Sequence, residues 1–302
     1  MRNDKPSYKM PSRRQIREST IQFLYCSDLE GGADPAALRE PFWEFLTETD
    51  RRNLQIATFR TVHHLAHGRE ERLSDFVQRA QPALAHLTGL PKAEAIKDAL
   101  NRLLALESSW SLAFLKLGKL PKPGEDSGVA DELALALESF FKTDRDLFFH
   151  REQFLRGAVD FPELKPQLEP VTASVRRLQR ISDRLRMVEQ PENFPDQADL
   201  AKLRESKFEI AALRSRTDEL VDAILAAKEE IDAKLASIIE NFTPGRIDPV
   251  DRAILRLGTY ELIRTKTPPN AVINEAIELA KRFGTTDSGR FVNGILDKVA
   301  KS

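Results

Sequence analysis

The sequence contains a single cysteine, Cys26, so it holds no internal disulfide and fits a reducing cytoplasm. Glycine is scarce at 13 of 302 residues, and there are only three tyrosines and two tryptophans. No sustained alternation of apolar and polar residues bounded by turn residues occurs, which argues against strands. Neither sign of charge dominates: 46 Lys and Arg against 47 Asp and Glu leave a net charge of −1. Any affinity for nucleic acid must therefore come from a local basic patch. No apolar run reaches the length of a bilayer span and no apolar signal core follows the basic start, so neither secretion nor membrane insertion is expected. Glycine-rich phosphate loops, cysteine pairs and nucleophile elbows are also missing, and no catalytic residue or cofactor is expected. His63 and His67 are four apart, a spacing that suits two metal ligands, but no third ligand accompanies them and no metal is expected.

What is present is helix-forming. Leu, Ala, Glu, Arg and Lys are plentiful and 41% of the residues are hydrophobic, enough to build a core in an all-α protein. The last sixty residues read as three helices. Asp248 caps the first, Pro249 suits its first position, and Asp251 places negative charge in its first turn. Ala253, Ile254, Leu257, Tyr260 and Leu262 make its core stripe, leaving Asp251, Arg252, Arg256 and Glu261 on a wet face. Thr267-Pro268-Pro269-Asn270 breaks the chain, with Asn270 as the next cap. Val272, Ile273, Ala276, Ile277, Leu279 and Ala280 form a second apolar face that ends at Gly284, a left-handed C-terminal cap. Asp287 or Ser288 caps the last helix, in which Phe291, Val292, Ile295, Leu296 and Val299 point inward. Gly294 inside that helix implies close approach of another backbone.

Three strings, Val250-Asp-Arg-Ala-Ile-Leu-Arg-Leu, Ala271-Val-Ile-Asn-Glu-Ala-Ile-Glu-Leu-Ala-Lys-Arg-Phe-Gly and Asp287-Ser-Gly-Arg-Phe-Val-Asn-Gly-Ile-Leu-Asp-Lys, resemble the carboxyl-terminal half of the NusB family of bacterial transcription antitermination factors. Ser12-Arg-Arg-Gln-Ile-Arg-Glu leading into Ile21-Gln-Phe-Leu-Tyr25 is similar to that family's arginine-rich first helix. Leu220 to Ile224, Glu230-Ile-Asp232, Ile238, Ile239 and Phe242 are similar to the helix ahead of the motif.

The resemblance implies a non-catalytic RNA-binding adaptor that joins boxA-type single-stranded RNA and the ribosomal protein NusE to the RNA polymerase elongation complex with other Nus factors, supporting ribosomal RNA transcription. It implies RNA contacts at Arg13, Arg14 and Arg17, through phosphates and guanidinium stacking, and at Asp287, Ser288 and Phe291. Arg13 and Arg17, one turn apart, are expected to face one phosphate backbone. Phe291 reads equally as a core residue, and Asp287 as a cap alone. Gly289 stands where many relatives carry a larger basic or polar residue, which removes a side-chain contact. Tyr25, Asp251 and Arg252 are implied as contacts for NusE. The residue-level alternative is salt bridging within the chain, Asp251 to Arg252 and Glu261 to Arg264.

The resemblance covers a discontinuous domain, residues 1–46 plus 213–302. The segment 47–212 departs from it and reads as an inserted second helical bundle of unknown role, the alternative being an extension of the family's hairpins into longer helices that protrude from the domain. Its prolines cut it into lengths that pack back on themselves, with Pro121 to Gly128, Phe161 to Pro170 and Pro191 to Pro195 as breaks. Apolar faces there include Leu54, Ala57 and Val62; Ile96, Leu100, Trp110, Phe114 and Leu115; Phe140, Phe149 and Phe154; and Val171, Val175, Leu178, Ile181 and Leu185. Two rival readings remain. One is a helical interaction scaffold in which the insertion dominates and RNA binding is lost. The other is an accessory domain related to ribosomal-RNA cytosine methyltransferases, which needs a cofactor-binding α/β domain downstream.

Overall fold

A computed structural model describes residues 9–29, 34–120, 127–239 and 244–302. Phe242, read as part of the helix ahead of the motif, and most of the expected loop at Pro121 to Gly128 lie outside these. Every regular element among the described residues is helical. In chain order these are α1 (Arg13–Leu29), α2 (Pro35–Leu46), α3 (Glu48–Ala66), α4 (Arg69–Leu87), α5 (Glu94–Lys119), α6 (Ser127–Gly157), α7 (Lys165–Glu189), α8 (Ala201–Ala226), α9 (Lys228–Ala236), α10 (Pro249–Arg264), α11 (Pro269–Phe283) and α12 (Ser288–Lys301). They fold into two compact units, one made of residues 1–49 and 207–302, the other of residues 50–206.

In the first unit α10 is the axis, packed by α1, α9, α11 and α12. Asp248 caps it as the sequence demands, accepting from the Val250 amide at 2.9 Å, with Pro249 in the first position. Ile21 and Leu24 of α1, Ile231 and Leu235 of α9, Ile254 and Leu257 of α10, Leu279 of α11 and Leu296 of α12 share one core. A smaller cluster joins Phe23, Phe42, Trp43 and Val221, and the Trp43 indole donates to Asp218 at 2.9 Å.

The expected wet face of α10 does not exist. Every residue from Asp251 to Thr259 is buried, because neighbours cover the helix on all sides. Two end signals and one mid-helix glycine also differ from expectation. α11 begins at Pro269 with Pro268 in the capping position, so Asn270 lies inside the first turn. Gly284 is extended (φ −95°, ψ −166°), not left-handed; a Cβ there would meet Ser288 Oγ at 2.5 Å and the Ala280 carbonyl oxygen at 2.9 Å. Close approach, not a positive φ, demands glycine. Gly294 is exposed with nothing near it, whereas Gly258 is where α10 and α12 meet: a Cβ would stand 2.6 Å from Leu296 Cδ1.

The second unit has its own core, including Val62, Phe76, Leu100, Leu103, Trp110, Phe140, Leu147, Phe154, Val175, Leu178 and Leu185. Phe149 and Leu115 are exposed instead, and Leu147 takes the inward place. The break before α7 ends at Lys165, since Pro170 is carried inside the helix near its start. A polar network crosses this core. Glu107 accepts from Arg151 Nε at 2.7 Å and also binds Arg69, while Asp144 accepts from the Trp110 indole at 2.6 Å and from Ser182 Oγ at 2.7 Å. Arg69 lies 3.8 Å over the Trp110 ring, and burial pushes its pKa down to about 10.

The packed Gly258 and the exposed Gly294 differ in a measurable way. Gly258→Ala is expected to destabilise by about 1–3 kcal/mol through overpacking against buried Leu296. Gly294→Ala is expected to stabilise by about 0.5–1 kcal/mol, because only helix propensity changes there. Urea titrations followed by circular dichroism measure both; equal shifts of the two variants would contradict the packing account.

Candidate nucleic-acid interface

α1 starts with a capping box. Ser12 Oγ accepts from the Gln15 amide at 3.1 Å, and Gln15 Oε1 accepts from the Ser12 amide at 2.9 Å. This fixes the direction in which the following arginines leave the backbone. Arg13 and Arg14 are exposed, whereas Arg17 is 7% exposed. Its Nε donates to Glu261 at 2.9 Å, and Glu275 lies 3.8 Å away. The expected pairing of Arg13 with Arg17 on one phosphate-facing side therefore fails. Arg17 is turned inward by a carboxylate that the sequence placed on a wet face. The partner of Glu261 is Arg17, not Arg264, which instead pairs with Glu230.

Arg252 and Arg256 behave likewise. Asp28 near the end of α1 accepts from Arg252 Nε at 2.7 Å and from Arg256 at 2.8 Å, while Asp232 of α9 accepts two further bonds from Arg256, each 2.8 Å. Burial works against the charge of Arg256, but Asp232 and Asp28 outweigh it and hold its pKa above the ordinary value. Arg252, expected as a partner contact, is thus a buried strut.

Asp251 is also buried, and its Oδ1 has no hydrogen-bond partner among the described residues. Burial raises its pKa, the Ser288 hydroxyl opposes the rise, and the Asp248 charge adds to it. Tyr25 is half-buried and lines a cavity of about 290 Å3 with Ile21, Gln22, Val250 and Phe283.

At the start of α12, Asp287 and Arg290 are exposed. The Asp287 side chain makes no cap; its carbonyl accepts from the Phe291 amide at 3.0 Å. Ser288 is 1% exposed and its Oγ accepts from the Thr285 amide at 2.8 Å, so it shapes the turn and does not face solvent. Phe291 is half-buried against the core of this unit, the reading left open beside base stacking. A Cβ on Gly289 would lie 3.6 Å from Lys281 Cγ, an ordinary contact.

The two ends of the sequence meet at Glu18, which accepts from Arg14 Nε at 3.1 Å and also pairs with Arg282 at the end of α11. Arg282, five residues before Asp287, was absent from the residues picked out by sequence. Its signal would have been its place beside Phe283 ahead of the glycine turn. Among the described residues no group of three or more His, Cys, Asp or Glu side chains is arranged to hold a metal ion, and no helix is long and apolar enough to cross a membrane.

A family model described as the NusB family matches residues 175–301. The transcription antitermination protein NusB of Geobacter sulfurreducens is 48% identical over 101 residues, which are 33% of this chain and 73% of that protein. The chain belongs to the NusB family. NusB of Desulfitobacterium hafniense is 49% identical over 86 residues, 28% of this chain and 58% of that protein. For NusB of Pseudoalteromonas atlantica the figures are 51% over 85 residues, 28% and 60%. The chain thus spans less than two thirds of the length of these last two relatives. A solved structure of T. maritima NusB aligns at 37% identity, covering 37% of this chain and 82% of that one, with a TM-score of 0.30. The NusB family match begins at Val175 within α7, well before residue 213, where the resemblance read from sequence resumes, and does not include α1.

Two substitutions test these charges. Asp28→Asn leaves Arg252 and Arg256 short of a buried counter-charge and is expected to cost about 3 kcal/mol in a denaturant titration. Asp251→Asn is expected to do the opposite at neutral pH. A raised carboxyl pKa means that stability is full below the ordinary value of 3.8 and is lost as pH rises through the folded value, so the gain from Asn should vanish toward pH 3. Thermal melts across pH read this directly, and a gain that does not depend on pH would refute it.

Proposed function

We propose that this NusB-family chain acts in transcription antitermination as a non-catalytic cytoplasmic adaptor. Its first unit would bind boxA-type single-stranded RNA together with the ribosomal protein NusE and bring both to the RNA polymerase elongation complex with other Nus factors, in support of ribosomal RNA transcription. The observation that carries this reading is the junction at Glu18, where the capped arginine-bearing start of α1 stands beside the end of α11 and hence close in sequence to the exposed Asp287 and Arg290. The name of the relatives, transcription antitermination protein, supports the same reading.

On this reading Arg13 and Arg14 contact phosphates, and Asp287 accepts from base amino groups. Phe291 offers its uncovered edge for stacking, while Arg17 and Ser288 hold the surface in shape. The Tyr25-lined cavity receives an apolar side chain of NusE, while buried Asp251, which follows the lining residue Val250, and Arg252, bonded to Asp28 of α1, support it from within. RNA and NusE bound side by side raise each other's effective concentration, so each contact alone can be weak. The scaffold reading has support of its own from Leu112, Leu115, Leu135 and Phe149, large apolar side chains exposed on the second unit.

Filter binding of labelled boxA-type RNA to the intact chain, with and without NusE, tests the proposal. Arg13→Ala with Arg14→Ala is expected to weaken binding and to flatten the salt dependence by about 0.7 in slope for each phosphate no longer neutralised. An intact chain that does not prefer this RNA over a scrambled sequence refutes the proposal and favours the scaffold.

A further inference from the structure

We infer that Arg282 is a further contact for the RNA backbone, aligned with Arg14 by the shared carboxylate of Glu18. This deepens the function proposed above and rests on it. Glu18 is largely covered, with a side-chain exposure of 16%, while the Arg14 and Arg282 side chains remain 52% and 54% exposed. Both arginines use the same oxygen, Oε1, although they lie on helices remote in sequence. Sharing one acceptor atom places the two guanidinium groups side by side, and the trio carries a net charge of +1.

Each guanidinium has five N–H donors, and Glu18 engages only part of each set. The remainder faces solvent as a paired donor surface suited to phosphate oxygens, which guanidinium forks bind with good geometry. Arg282 also lies 5.2 Å over the Phe283 ring, which restricts its swing and joins it to the Tyr25-lined cavity. Nearby cations are already engaged: Arg17 with Glu261 and Glu275, and Lys281 with Glu278. With Arg17 turned inward, Arg282 supplies from α11 a further exposed arginine beside Arg14, in addition to Arg13 on α1.

Glu18 is then a positioning residue with two opposed effects. It fixes both arginines, and its charge repels the phosphate they would bind. Glu18→Gln keeps an acceptor oxygen and removes the repulsion.

The test is salt-dependent binding of boxA-type single-stranded RNA by the full chain and three variants. Lys301→Ala is the control for loss of one positive charge, since Lys301 lies at the far end of α12, roughly 20 Å along the helix from Ser288. Arg282→Ala is expected to weaken binding roughly three- to tenfold and to flatten the salt slope by about 0.7, while Lys301→Ala stays within about twofold of the parent. Glu18→Gln is expected to tighten binding at low salt. If the parent prefers boxA-type RNA over a scrambled sequence but Arg282→Ala matches Lys301→Ala, or Glu18→Gln fails to tighten binding, the inference is overturned and the proposed function stands. If the parent shows no such preference, both fall.

Discussion

The first unit depends on the carboxylate of Asp28 meeting Arg252 and Arg256. α10 is enclosed from Asp251 to Thr259, so Arg252 and Arg256 are largely withdrawn from water and need counter-charges from other helices. Asp28 comes from α1 and Asp232 from α9, and the same helix receives Arg17 at Glu261. Ion pairs of this kind add little net stability compared with an apolar replacement, yet losing one partner is costly. Their role is to fix which helix lies where and in what register. The first helix is thereby tied to α10 across more than two hundred residues of sequence. Loop entropy permits this because closure cost grows only with the logarithm of length.

The second unit solves a similar problem with different residues. Arg69, Glu107, Arg151 and Asp144 are all buried, and their formal charges sum to zero. Burial raises the Asp144 pKa, with Ser182 and Trp110 donating against that rise. Complementary bonds between α5, α6 and α7 leave an apolar bundle with one polar layer. Such a layer disfavours sliding of the helices, since any shift strands a charge in the core.

Much of the all-α fold was legible because caps and apolar stripes are local. Asp248 and Pro249 mark the start of α10, and Val272, Ile273, Ala276, Leu279 and Ala280 mark the inner face of α11. What escaped was everything that needed a distant partner. Periodicity assigns Arg252, Arg256 and Glu261 to solvent, since nothing nearby in sequence announces Asp28, Asp232 or Arg17. Arg17 looks like its neighbours Arg13 and Arg14 until Glu261 is placed beside it. The glycines misled for a related reason: Gly294 breaks a helical pattern and draws attention, while nothing beside Gly258 in sequence announces its close approach to Leu296. At the candidate site Asp287 was readable as a surface residue after a turn. The burial of Ser288 was not, because it depends on the extended shape of Gly284.

Each unit buries one tryptophan, Trp43 in the first and Trp110 in the second, and each indole donates to an aspartate of its own unit, Asp218 or Asp144. With only two tryptophans in the sequence, the emission spectrum is a sum of two signals from separate interiors. Replacing either ring by phenylalanine leaves a chain whose fluorescence follows the melting of one half alone, so the order in which the halves come apart is open to simple optical spectroscopy.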